Sequence, residues 1–165
     1  MKKIFITLFF LMAGCGFSPL YNESFIKQGS VPVSVSPISN QYGVSMRQRI
    51  LSLIGRSEHP LYTLSVSAPS FSSTDQTIDS KNFATMMSVS GSATYSLINN
   101  DTQKTMLKSS ASASGSYSVT KDPYASTVAE RKIKKELAEQ IADQIGQHIL
   151  VFLSKENNEG KAISN

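Results

Sequence analysis

One cysteine and two histidines in 165 residues leave few means of holding a metal or building a disulfide framework. His59 precedes Pro60 and His148 falls in a helical stretch, and neither has a cysteine or a second histidine at ligand spacing. No glycine-rich phosphate loop and no Gly-x-Ser-x-Gly elbow occurs. Serines number 28, so a chance Ser/His/Asp combination carries no information. These absences point away from an enzyme and from a bound metal. Charge is also scarce, at 17% of residues, which argues against a charge-swollen disordered chain. The net charge is +4, and Lys2 and Lys3 supply two of those charges. What remains is too weak for a nucleic-acid partner, which needs a dense basic face.

A long hydrophobic run is missing as well. The longest, Ile4 to Ala13, has ten residues, where a membrane-spanning helix needs about 20. A short apolar run behind Lys2 and Lys3 and ahead of small residues is the pattern of a secretory signal. Ala13-Gly14 then precedes Cys15. This resembles a bacterial lipobox, with Met12 where leucine is most common. A lone thiol in an oxidising compartment is a liability unless modified. Residues 1–14 are therefore predicted to be a lipoprotein signal. Cys15 becomes the attachment point for diacylglycerol and an N-acyl chain such as palmitate, the only non-protein group expected. Two or more acyl chains give stable anchoring where one does not. Gly16, in place of Asp, favours outer-membrane sorting by resemblance to lipoprotein rules.

What the chain has in abundance is serine. The stretch "KSSASASGSYSV", Lys108 to Val119, has the composition of a flexible tether. Its order says otherwise. Leu107, Ser109, Ala111, Ala113, Gly115, Tyr117 and Val119 alternate with Lys108, Ser110, Ser112, Ser114, Ser116, Ser118 and Thr120. Period-two alternation of this length predicts a strand. The segment from Phe83 to Ile98 alternates likewise, and Asn99 to Thr102 has turn chemistry, so the two form a hairpin. Gly91, Ala93, Ala111, Ala113 and Gly115 leave little side chain on the apolar face, so a helix is expected to approach closely there.

Residues 15–30 are predicted to be an extended arm. Val31, Val33 and Val35 suggest a first strand, placed at an edge by Pro32. Ser39 or Asn40 can cap a helix ending at Gly55. Its companions Arg47, Arg49 and Arg56 read as a solvated face. Tyr62 to Ala68 alternates as a second strand, Pro69 ends it or marks a bulge, and residues 71–81 read as a loop. Asp122 and Pro123 open a long helix with Ala129, Ile133, Leu137, Ile141, Ile145 and Ile149 every four residues. That stripe drifts by about 40° per step, so the helix must wrap a twisted sheet or bury its ends against different surfaces. "HILVFL" ends it apolar nearly all round, and residues 154–165 are expected to be a disordered tail. The predicted fold is α+β, a β-α-β-β-β-α two-layer sandwich. A four-stranded mixed sheet carries both helices on one face, in a single domain at 15–153.

The start "GCGFSPLY" at 14–21, the serine-rich strands and the "DPYA" helix together resemble the lipopolysaccharide-assembly lipoprotein family, LptE. The resemblance implies a two-helix, four-stranded sandwich with no catalytic residues. It implies tight association with LptD, the large outer-membrane β-barrel, partly inside its lumen, and contact with lipopolysaccharide that is inserted into the outer leaflet. The chain would then be lipid-anchored at the outer membrane, facing the periplasm or within the barrel. An alternative is an auxiliary lipoprotein of an ABC- or Mce-type periplasmic lipid transporter. Lys104, Lys108 and Arg56 are candidate contacts for lipopolysaccharide phosphates. Ser110, Ser112, Ser114, Ser116 and Phe152 are candidate partner contacts.

Overall fold

The computed structural model describes residues 31–78 and 84–162. The lipobox, Cys15 and the arm at 15–30 lie outside the described residues. The elements, in order, are β1 (Val33–Val35), α1 (Asn40–Ile54), β2 (Tyr62–Val66), β3 (Ser70–Ile78), β4 (Ala84–Asn99), β5 (Thr105–Ser118) and α2 (Pro123–Ala162). The class is α+β, with both helices packed on one face of a mixed sheet. β1 pairs with β2 in parallel, and every other pairing is antiparallel.

The sheet has five strands rather than the four expected. The extra one is β3, where a loop was predicted. β2 and β3 lie end to end along one side of β4, with β5 along the other. Between the pairs Val66–Tyr95 and Ser70–Ser92, three residues (67–69) oppose two (93 and 94), which makes a bulge. Ser67 pins it, donating its N–H to the Thr94 carbonyl (2.9 Å) and accepting the Thr94 N–H on Oγ (3.0 Å). The extra residue flips the alternation. Leu64 and Val66 face the helices from even positions, while Phe71, also on that face, is odd. The period therefore breaks where β3 begins, which hides the strand.

Local chemistry places the two helices. Asn40, at φ 67°, accepts the Gly43 N–H on Oδ1 (2.9 Å), so Asn40 rather than Ser39 caps α1. Gly55 closes α1 at φ 78° and donates to the Leu51 carbonyl. Asp122 caps α2, accepting the Tyr124 N–H on Oδ1 (2.9 Å). Beyond Leu153 the chain stays helical to Ala162, so the tail expected at 154 does not begin there. Lys155, Glu156, Glu159, Lys161 and Ala162 are good helix formers, and they extend a helix that packing has already nucleated.

The core lies between the sheet and the helices. Met46, Ile50 and Ile54 of α1 meet Val33, Leu64, Leu97 and Ile141, Ile145 and Ile149 of α2 there. The small residues on β4 and β5 do receive a helix. A methyl group on Gly115 would stand 2.8 Å from Ile133 Cδ1, and one on Gly91 would stand 3.3 Å from Ile141 Cδ1. Farther along α2, Gly146 receives Leu53 of α1. The drifting stripe of α2 is resolved in this way. Its first half rests on the sheet, and its second half is wedged between the sheet and α1.

Candidate functional site

The two faces of the sheet differ in kind. On the helix side, alternate residues of β2, β4 and β5 are mainly apolar or small. On the other side the strand registers set hydroxyls in rows: Thr74–Ser88–Ser116, Ser72–Ser90–Ser114 and Ser70–Ser92–Ser112. Thr94 and Ser110 continue the lattice beside Ser67, and Ser65–Ser96–Lys108 ends it. Strands about 4.8 Å apart, with rows about 6.7 Å apart, make this a surface about 10 Å wide and about 27 Å long. No charged side chain interrupts the rows from Thr74 to Thr94, and Lys108 stands at the far end.

Most of these hydroxyls are uncommitted. Ser70 Oγ lies 3.1 Å from Ser92 Oγ and 3.3 Å from the Ser92 carbonyl it donates to. Ser72, Ser90, Ser110, Ser114 and Ser116 have no side-chain partner among the described residues. Each hydroxyl can donate one bond and accept two, so the lattice suits a polar, hydrated partner of either hydrogen-bonding sense. Serine also loses little rotamer freedom on contact.

The predicted partner residues Ser110, Ser112, Ser114 and Ser116 all lie exposed on this face. Phe152 does not, because its ring is half-buried against the core with Leu150. The apolar end of α2 is thus largely a core contact, with Ile149 and Leu153 fully inside. Ser70, Ser72 and Thr74 were missed along with β3. Their signal was local: Phe71 is flanked on both sides by hydroxyl residues.

The cation candidates cluster only loosely. Lys104 lies in the β4–β5 turn, where its carbonyl accepts the Asn99 N–H (2.9 Å). Arg56 follows α1 in the loop that leads to β2. Asn100 stitches that loop to the turn, donating to the Pro60 carbonyl (2.7 Å) and accepting from Thr63 (2.8 Å). Lys104, Arg56 and Lys108 therefore share one end of the sheet, and none has an ion-pair partner among the described residues. Glu58 and Asp101 sit at the same end and dilute the charge. Arg47 and Arg49, read as a solvated face, also make contacts that tie α1 down, and Arg49 stays exposed while doing so. Arg47 donates to the Val35 carbonyl (3.1 Å). Arg49 holds Asp143 of α2 with two hydrogen bonds, and this raises its pKa above the ordinary value.

Neither histidine gathers a site. His148 is hydrogen-bonded to the hydroxyl of buried Tyr95 through Nδ1, and His59 is exposed. No group of three metal-ligating side chains occurs among the described residues. No described helix is long and apolar enough to cross a membrane.

No curated protein matches the chain. Solved structures match its fold. A candidate lipoprotein of Caulobacter crescentus superposes with a TM-score of 0.61 at 14% identity, over 81% of this chain and 98% of its own. The rare lipoprotein B of Shewanella oneidensis gives 0.59 at 17% identity, over 78% and 98%. An uncharacterized lipoprotein B of Nitrosomonas europaea gives 0.56 at 10% identity, over 76% and 90%. Identities this low show a shared fold. The family model for LptE, described as lipopolysaccharide-assembly, matches residues 30–149, which hold both strands of the serine hairpin and most of α2. The chain belongs to the LptE family of lipopolysaccharide assembly.

Proposed function

We propose that the chain is an outer-membrane lipoprotein, anchored through acyl chains on Cys15. It seats its serine face against the polar lumen of a large LptD-type β-barrel and so supports insertion of lipopolysaccharide into the outer leaflet. The observation that carries this reading is a wide, uncharged hydroxyl lattice left open on a fold of the lipopolysaccharide-assembly family. Barrel lumens are polar and wet. Hydroxyls bridged by water meet such a wall with a small desolvation cost, where charges would need matched partners. The helices stiffen the sheet from behind. At one end Lys104, Lys108 and Arg56 offer unpaired cations to lipopolysaccharide phosphates. The chain acts by binding, with no catalytic step.

Ser90→Glu with Thr94→Glu puts two charges at the middle of the lattice without touching the core. The variant is expected to fold normally and to lose the large barrel on purification in mild detergent. Retention of the barrel at wild-type level would show that the face is only solvated. Cys15→Ala tests the anchor separately. The variant should leave the membrane fraction in cells depleted of the barrel, and its retention there contradicts lipid anchoring.

A further inference from the structure

The serine face ends in an apolar patch. Asn100 donates its N–H to the Leu61 carbonyl (2.9 Å), which carries the β2–β4 register one pair past Tyr62 and Asn99. Leu61 therefore stands two residues before Thr63 and on the same side of the sheet, the side that holds Ser65 and Ser96. It is 52% exposed, a large apolar side chain outside the core. Ile98 shares that side, opposite Thr63, and is half-buried. On the next strand the register slips between Leu97 and Ile98, so that Thr105 and Met106 both oppose Ile98. Met106 lies two residues before Lys108, on the same side, and is also half-buried.

Three neighbouring strands thus bring Leu61, Ile98 and Met106 together at the lysine end of the lattice. None of the three packs against the buried core. From Ser88 to Ser96, the paired positions on this face hold only hydroxyls and Lys108. A wall that covers the hydroxyls gains little from each, because a hydrogen bond to water is traded for another. Removal of apolar surface from water is the term that drives association. On this face that surface lies at the Leu61 end, where the flexible Met106 adapts its shape to what it meets. The patch is about 10 Å across, the width of three strands. One acyl chain reaches about 15 Å, half the hydrocarbon core of a bilayer, so the patch is too small for a set of lipid tails. It has room for one or two side chains.

We propose that Leu61, Ile98 and Met106 anchor the contact with the barrel: they receive an apolar or aromatic side chain from the lumen wall, while the serine lattice supplies fit and hydration. This rests on the reading that the serine face meets a barrel, and it places the binding energy at one end of that face. The patch continues the lattice row by row, from Ser96 to Ile98 on β4 and from Ser65 through Thr63 to Leu61 beside it, so one wall reaches both. Lys104 and Lys108 stand on either side of Met106 along the chain, a polar rim to an apolar centre.

The test expresses the full lipoprotein with its barrel and measures the barrel recovered with it in mild detergent. Leu61→Ser with Met106→Ser should lower that recovery by about tenfold or more. Val44→Ser with Val128→Ser, which removes exposed apolar side chains from the two helices, should leave it unchanged. The purified Leu61→Ser/Met106→Ser chain should melt close to wild type, because neither side chain packs against the core. Wild-type recovery by that variant overturns the proposal, and so does an equal loss from Val44→Ser with Val128→Ser. A marked fall in its melting temperature does so too, because it shows the patch covered within the chain itself. Ser90→Glu with Thr94→Glu separates this inference from the reading beneath it. Loss of the barrel there, with retention in Leu61→Ser/Met106→Ser, overturns the anchor and leaves the serine face standing.

Discussion

Gly91 is held between two side chains, and the structure fixes what an added methyl group meets. A Cβ there would stand 2.9 Å from Phe71 Cε1 and 3.0 Å from Phe71 Cδ1, with Ile141 Cδ1 at 3.3 Å on the other side. Ile141 is fully buried and has nowhere to go. Phe71 is half-buried on β3, but its ring packs edge-on against Tyr42 of α1, with centroids 5.2 Å apart. Gly91→Ala must therefore push Phe71 off Tyr42. Crowding of this kind costs about 1–3 kcal/mol, and losing an aromatic pair costs about 0.5–1.5 kcal/mol more. Replacing a strand glycine returns about 0.5–1 kcal/mol. The net expectation is a loss of about 2 kcal/mol, or about 4–8 °C in Tm for a chain of this size. The double mutant tests the cause. In a Phe71→Ala background the main clash is gone, so Gly91→Ala should cost close to nothing or stabilise. Chemical denaturation of all four proteins in the cycle gives the coupling. If Gly91→Ala costs the same with and without Phe71, or stabilises the wild type, the placement of β3 against β4 is refuted.

Two further outcomes follow from single contacts. Asp122→Ala removes the cap on Tyr124 and should destabilise by about 0.5–2 kcal/mol in thermal or urea melts, whereas Lys121→Ala beside it should have little effect. The pKa of Tyr62 is raised by burial first, then by the charge of Glu156 and the hydrogen bond to it. Its neutral form thus favours folding, and that contribution is complete below the unfolded tyrosine pKa of about 10. It fades as pH rises through the higher folded value. Tyr62→Phe should flatten this alkaline part of the stability profile, and an unchanged profile would contradict the contact.

The serine strand was legible because alternation survives any composition. Ala111, Ala113 and Gly115 still fall on one face, and their small size announces the helix above them. β3 was not legible, for two physical reasons. The bulge at Ser67–Pro69 shifts the alternation by one residue, and the helix-side positions Ser73 and Asp75 are exposed, so no apolar face marks the strand. The hydroxyl lattice was therefore read as two strands wide when it is three. The pairing of Arg49 with Asp143 was hidden because the partners are 94 residues apart and only the packing of α1 on α2 joins them. The end of α2 was misplaced because polar composition after Leu153 resembles a tail, yet Lys155, Glu156, Glu159, Lys161 and Ala162 within it favour helix.

The central claim is that the serine face is covered by a barrel in the cell. A photo-activated cross-linking residue at position 90, in the middle of the lattice, tests it directly, with position 132 on the solvated side of α2 as the comparison. The account predicts a single large adduct from position 90 that contains a very large outer-membrane β-barrel, and far less from position 132. Adducts with inner-membrane lipid-transporter components, or none from position 90 in cells that carry both proteins, would contradict it.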